Sequence, residues 1–391
     1  MDDVADLAWL IGPEGAAWLR RVAADSRPTL QRLAALRRDL STDRARLVVE
    51  QTELRDRAAE KFGDCAGQMY FTPVLLEQAT DRWVAEYKAS RFSAAGGRGV
   101  LDGCCGLGGD LRSLARRGGA VGVDRSPAAC LLAGANAGAG AVVQCADVES
   151  IRPDAGQLWH MDPDRRASGR RTTQVVHYAP GLDVIDRWRQ ASPDGAVKLA
   201  PAAAAPAVWH DEAEREWTTR DRQCRQQVAW FGALATSPGR CRATLVRRDG
   251  YVATFAGASG LMPPAVETPA RYLFDPDPSV LASGLLGAIA AQHGLASLGA
   301  GGAYLTGERP IVEPLLTPLA VIDCLPLRAE IVARYLAARA VGRVEIKKRG
   351  VSLDPATWQR RLKLRGEGAA TLVLTRVGRR ETAIVVERPS A

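Results

Sequence analysis

The sequence predicts an α/β protein: a doubly wound, mainly parallel sheet, preceded by a helical extension and followed by a compact α+β domain. Three observations predict it. Residues 99–124 read GVLDGCCGLGGDLRSLARRGGAVGVD, in which a short apolar run (Val100, Leu101) leads into a glycine-rich turn, an apolar-periodic segment (Leu111, Leu114, Ala115) and a second short run ending in Asp124. That is strand, glycine loop, helix, strand, the opening half of a sheet that binds ligands at the carboxyl ends of its strands. Short apolar runs then alternate with helical patterns through residue 257, which argues for parallel strands joined by crossovers. Charge, finally, is uneven: residues 328–391 hold 15 Lys plus Arg against 6 Asp plus Glu, a balance of +9, so with a chain total of +8 the remainder sums to −1. A basic terminal domain beside a near-neutral one fits a polyanionic partner.

The elements follow in order. Residues 1–60 read as helices, with Leu7, Leu10 and Ile11, then Ala17, Leu19 and Val22, then Leu47, Val48 and Leu54 after a cap near Ser41 or Thr42. Phe71-Thr72-Pro73 fits a helix entry, with Thr72 as the cap and Pro73 in the first position. Residues 127–136 read as a helix, 141–145 as the third strand before Asp147, 157–161 as the fourth before Asp162, and 196–199 as the fifth. Residues 214–219 and 241–256 supply a sixth and seventh, the latter turning at Asp249-Gly250, with 223–234 as a helix between them. Residues 258–310, rich in Pro, Gly and Ala, read as a connector with one helix at 280–292. Beyond it come helices at 327–338 and 355–362 and strands at 341–347, 370–375 and 382–386. The expected division is therefore 1–60, 61–257, 258–310 and 311–391.

Composition narrows the class. With 391 residues, 47% hydrophobic and 25% charged, the chain reads as a multidomain globular protein. No early apolar run follows a basic start, and no uncharged apolar stretch reaches the ~18 residues of a membrane span, so a cytoplasmic protein without a membrane partner is expected. Eight scattered cysteines and four histidines form no ligand spacing, which points to reduced thiols and no metal.

The glycine loop carries the first chemical signal. Gly103, Gly106, Gly108 and Gly109 allow tight turning and close approach of backbone to a ligand. Asp102 ends the first strand, and Asp124 ends the second 22 residues on, near the ~20 expected for a carboxylate that bonds ribose hydroxyls. A dinucleotide site needs G-x-G-x-x-G around an anionic pyrophosphate, whereas this loop has acids at both ends and suits a cationic ligand. It resembles the class I S-adenosylmethionine-dependent methyltransferases, and more narrowly the D-x-x-C-G-x-G-G-N loop of the trimethylguanosine synthase group, with Asp110 in place of the Asn. The resemblance implies a Rossmann-like methyltransferase sheet and S-adenosylmethionine as cofactor. It assigns Asp102, Gly103, Cys105, Gly106, Gly108, Gly109 and Asp124 to the cofactor pocket, with Asp147 at the adenine amino group. Thr72 is either a wall of that pocket or simply a helix cap.

The second signal is WHMDPDRR at residues 159–166. Asp162-Pro163 matches in part the [D/N]-P-P-[Y/F/W] corner of amino-group methyltransferases, in which the acid and a backbone carbonyl orient the attacking nitrogen. Asp164, Arg165 and Arg166 depart from that pattern. Arg165 and Arg166, joined by Arg170 and Arg171, are candidate phosphate contacts. Trp159 and Met161 read as core, and His160 as either a pocket residue or, more commonly for such a position, a satisfied core imidazole. Residues 342–366 resemble the THUMP-like domain at the C-terminus of a bacterial methyltransferase family, and YLFDPDP at 272–278 resembles a recurrent segment of it. This implies binding of structured RNA, with Lys347, Lys348, Arg349, Arg360, Arg361, Lys363 and Arg365 as the basic patch. The expected function is N-methylation of a base in tRNA or rRNA. A non-catalytic RNA-binding protein and a small-molecule methyltransferase are the alternatives.

Overall fold

The computed structural model describes residues 4–96, 99–166, 172–299 and 302–389. They form two compact units: Met1–Arg215 with Gln226–Gly239 and Val246–Val252, and Glu216–Arg225 with Arg240–Leu245 and Ala253–Ala391.

The first unit begins with helices α1 (Val4–Ile11), α2 (Pro13–Ala23), α3 (Thr29–Leu36) and α4 (Thr42–Phe62), the last capped by Ser41 Oγ accepting from Arg44 N. Leu10, Leu19, Val22, Leu36 and Val48 form a core among them. No break falls near residue 60. Leu7, Leu54 and Phe62 share a second core with Phe71, Leu107 and Leu132, so the helical extension packs on the glycine loop and the helix that carries Leu132 rather than standing as a separate module. Helices α5 (Pro73–Gln78) and α6 (Arg82–Ala94) follow, capped by Thr72 and Asp81.

The alternation read from the sequence is then present: β1 (Val100–Gly103), α7 (Gly109–Ala115), β2 (Ala120–Asp124), α8 (Pro127–Ala137), β3 (Ala141–Cys145), β4 (Leu158–Met161), α9 (Leu182–Ala191) and β5 (Gly195–Leu199). The strands run parallel in the order β3-β2-β1-β4-β5. The order therefore reverses between β1 and β4, and a ligand crevice forms at such a switch point. Trp159 on β4 lies opposite Gly195 on β5, and a Cβ on Gly195 would fall 1.9 Å from the indole. Glycine is required there for Trp159 to stack edge-on against Trp188 at 5.7 Å. Truncating such a fully buried tryptophan costs ~3–5 kcal/mol.

One expected helix is absent. After β6 (Glu214–Arg220), the chain from residue 223 forms β7 (Gln223–Trp230), antiparallel to β5 through Ala196↔Trp230 and Leu199↔Gln227. Its last five residues are all buried, and a strand covered on both faces loses the period-2 pattern that marks strands. Next come β8 (Cys241–Val246) and β9 (Val252–Gly257), and the turn between them does fall at Asp249-Gly250, with Gly250 at φ +85.

The stretch 258–310 is not a connector. It carries β10 (Tyr272–Pro276), α10 (Pro278–Ala282), α11 (Leu286–His293), β11 (Ala296–Ser297) and β12 (Leu305–Gly307). The single helix expected at 280–292 is broken by Gly284 at φ +69. These strands join β13 (Leu316–Pro326), β14 (Val341–Lys348), β15 (Gly368–Val377) and β16 (Arg380–Glu387) in a seven-stranded sheet ordered β11-β12-β10-β13-β16-β15-β14. Helices α12 (Ala329–Ala337) and α13 (Pro355–Leu362) bury Val332, Leu336, Trp358 and Leu362 with Leu372 and Val385 of the sheet.

Candidate active site

At the carboxyl ends of β1, β2 and β4 lies a cavity of about 260 Å³, close to the lower end of the ~300–1,000 Å³ range of small-molecule clefts. The glycine loop forms its floor. Cys104 (φ 61), Gly106 (φ 55) and Gly108 (φ 85) are left-handed, which turns the chain sharply from β1 into α7. Gly106 faces the opening: a Cβ there would meet nothing nearer than Leu75 Cδ2 at 3.9 Å and would project into the space. Gly108 has the opposite role, since its Cβ would sit 3.1 Å from Ala133 Cα of α8. Burial pushes the Cys104 and Cys105 thiols up, so neither supplies a thiolate.

Of the residues expected around a cofactor, Cys105, Gly106, Gly109, Asp124 and Asp147 line the cavity. Asp124 accepts from Gly106 N (3.0 Å) and Ser126 N (2.9 Å), and Asp147 accepts from Glu149 N (2.9 Å). Both carboxylates are thus fixed by backbone donors. Thr72, Asp102, Gly103 and Gly108 are not in the wall. Thr72 is the buried cap of α5, accepting from Leu75 N at 3.3 Å, and α5 with its following turn contributes Leu75, Gln78, Ala79 and Thr80 instead.

Asp102 is the main correction. It pairs in register with His160 of β4, so the two side chains share a face of the sheet, where each is only 1% exposed. Asp102 Oδ1 lies 2.6 Å from His160 Nδ1, His160 Nε2 lies 3.2 Å from Lys88 Nζ, and Lys88 Nζ lies 2.8 Å from Asp110 Oδ1. Thr80 donates to Asp110 Oδ2 at 2.7 Å. Burial holds the Asp102 carboxyl above its ordinary range, with His160 partly offsetting it. Burial pushes Asp110 in the same direction, yet the charges of Lys88, His160 and Lys198 prevail and hold it low. Sequence reading missed Asp110 and Lys88 as parts of this site, although Asp110 lines the cavity. His160 is the core imidazole expected.

At the opposite wall stand Asp162, Pro163, Arg165 and Arg166. Asp162 N donates to Gly103 O (3.1 Å), tying the corner to the end of β1. Asp164 exchanges backbone hydrogen bonds with Ala179. Arg166 is held by Glu77 at 2.8 Å. Lys198 of β5, also unforeseen, reaches Asp162 Oδ2 at 2.6 Å; a lone lysine inside the apolar run GAVKL was the available signal. Arg170 and Arg171 lie outside the described residues. The donor set fits S-adenosylmethionine: fixed carboxylates suit ribose hydroxyls and a cationic amino group, and the glycine floor leaves room for the ligand. No group of three His, Cys, Asp or Glu residues among the described residues is placed to hold a metal.

The expected basic patch of the second unit is only partly free. Arg349 (2.9 Å), Lys347 (3.6 Å) and Arg222 (2.8 Å) all converge on buried Asp275, and Lys348 donates to Leu353 O at 2.5 Å. Exposed Arg361 lies 3.4 Å from exposed Glu330. Lys363 caps α13 in a left-handed conformation.

Fold and cavity together define an α/β enzyme with a glycine-floored cofactor site. Residues 316–388 match the THUMP domain-like family model. An uncharacterized S-adenosylmethionine-dependent methyltransferase of Mycobacterium tuberculosis is 34% identical over 351 residues, covering 86% of this chain and 94% of that one, and the protein of a second strain matches equally. The crystal structure of a protein from Porphyromonas gingivalis W83, provisionally described as a methyltransferase, superposes with a TM-score of 0.79 at 19% identity over the whole of both chains. The chain belongs to the S-adenosylmethionine-dependent methyltransferases, with a THUMP-like domain at its C-terminus. The narrower likeness to the trimethylguanosine synthase group is not confirmed by these relatives.

Proposed function

We propose that this methyltransferase modifies an amino nitrogen of a base in structured RNA. One observation carries the reading: Asp162-Pro163 and the Asp124-anchored glycine loop line one cavity, so an acceptor at the corner faces the cofactor floor. S-adenosylmethionine supplies a methyl group already activated on a positively charged sulfur, and catalysis then rests on placing the nucleophile and excluding water. Gly106 and Gly109 would approach the cofactor through their backbone, Asp124 would accept from its ribose hydroxyls, and Asp147 would accept from the adenine amino group. Asp162 accepts a hydrogen bond from the acceptor amine, and Pro163 fixes the turn. Arg165, at the rim, offers a guanidinium to a phosphate or a base plane.

RNA is supported by the THUMP-like match and by the basic balance of residues 328–391. The exposed Arg360, Arg361 and Lys363 of α13 and its cap carry the phosphate contacts, in place of the Asp275-bound Lys347 and Arg349. A small-molecule acceptor is the second reading, favoured by one fact: among the described residues no aromatic side chain lines the cavity to stack a base. Tritium from labelled cofactor, chased into total RNA and into a metabolite extract, separates the two. Label confined to metabolites would refute the RNA reading.

A further inference from the structure

Lysine is rarely buried without a task, because removing an ammonium from water costs several kcal/mol that a single partner seldom returns in full. Lys198 sits in β5 between Val197 and Leu199, both buried, with its side chain 9% exposed. The parallel register pairs Met161 with Val197, so the next residues, Asp162 and Lys198, lie side by side just past the end of β4, with Asp162 in the cavity wall and Lys198 behind it. Lys198 Nζ is 2.6 Å from Asp162 Oδ2. Oδ1 of Asp162 makes no hydrogen bond among the described residues, and Asp162 stands in the cavity wall. The charge of Lys198 also helps hold Asp110 ionised.

We propose that Lys198 is a positioning residue for methyl transfer: it clamps one oxygen of Asp162 so that the other is presented in fixed orientation to a neutral acceptor amine. The inference rests on the reading of Asp162 given under the proposed function and deepens it. A free aspartate turns readily about its last torsion, and the salt bridge removes that freedom. The clamp also suits one acceptor class. A protonated amine has no lone pair to give, whereas a neutral –NH2 donates one hydrogen bond to the free oxygen and keeps its lone pair for the methyl carbon. The N–C bond would form as the cofactor's C–S bond breaks, S-adenosylhomocysteine would leave, and the surplus proton on nitrogen would pass by way of the free Asp162 oxygen to water.

Four variants test this: Lys198→Met, Lys198→Arg, Asp162→Asn and the double variant Lys198→Met/Asp162→Asn. Turnover is scored on whichever acceptor the wild type labels, RNA or metabolite, and S-adenosylhomocysteine affinity is measured by calorimetry. Misplacement of a catalytic group by an ångström costs on the order of 100-fold, so Lys198→Met is expected to lose about that in kcat. KM for the acceptor and cofactor affinity should stay within about twofold. Lys198→Arg should recover most of the rate. In the Asp162→Asn background, Lys198→Met should cost less than about twofold more, since the two residues act as one unit. Full kcat in Lys198→Met, a parallel loss of cofactor affinity, or an equal loss in the Asp162→Asn background would each overturn the proposal. Label found only in metabolites would refute the RNA reading, while the same cycle still decides the role of Lys198.

Discussion

Replacing Lys88 by methionine tests the polar network beneath the glycine loop. Lys88, 2% exposed, is 2.8 Å from Asp110 Oδ1 and 3.2 Å from His160 Nε2. Methionine keeps most of the volume but leaves Asp110 buried without its nearest cation, and breaking a buried pair from one side costs ~3–5 kcal/mol. The double variant Lys88→Met/Asp110→Asn removes the orphaned charge and retains an acceptor for Thr80, so its cost should fall to ~1–2 kcal/mol. Urea unfolding followed by the fluorescence of Trp159, Trp188 and Trp230, all in the first unit, reads both. The pH dependence has a definite sign. Asp110 is held below its ordinary range, so its ionised form stabilises the fold at neutral pH, and that contribution is lost as pH falls below ~4 toward the lower folded value. The stability gap between wild type and Asp110→Asn should therefore be largest near neutrality and shrink on acidification. A Lys88→Met cost under ~1 kcal/mol, or a double variant no more stable than the single, would refute the reasoning.

Three further outcomes are expected. Asp124→Ala should abolish S-adenosylhomocysteine binding in calorimetry at a cost to folding of only ~1–2 kcal/mol, because the half-buried carboxylate holds two loop amides, Gly106 N and Ser126 N. Arg360→Ala, Arg361→Ala and Lys363→Ala together should flatten the slope of log K for RNA against log salt by about two to three units, at ~0.7–0.9 per phosphate released. Arg349→Ala, by contrast, should leave that slope unchanged and destabilise the second unit by ~1–2 kcal/mol, since Asp275 keeps Lys347 and Arg222 but loses one charged bond.

The parts of the chain that were legible are those whose pattern is local. Strands β1 to β5 announce themselves as short apolar runs, and the glycine loop must turn where it does because Gly106 and Gly108 take left-handed angles. The N-terminal caps at Thr72 and Ser41 are read from three or four adjacent residues. What depends on a distant partner was not legible. The side to which Asp102 points follows from its register with His160, 58 residues away. Residues 223–234 have no alternation because β7 is covered on both faces at its end, and residues 258–310 look like linker until β10 finds β13. Lys347 and Arg349 count as positive charge in a sum, but the sum cannot show that Asp275 has claimed them. Lys198 is the exception, since a charge within the otherwise apolar run GAVKL signals a partner in space, which is Asp162.

The proposed function has one cavity, lined by the glycine loop and by Asp162-Pro163, transfer a methyl group to RNA. Mass spectrometry of nucleosides from total RNA of a deletion strain tests it most directly, with the strain complemented by wild-type protein or by Asp162→Ala. The account predicts that one N-methylated nucleoside disappears in the deletion, returns with the wild type and stays absent with Asp162→Ala. An unchanged set of methylated nucleosides in the deletion strain, or full restoration by Asp162→Ala, would contradict it.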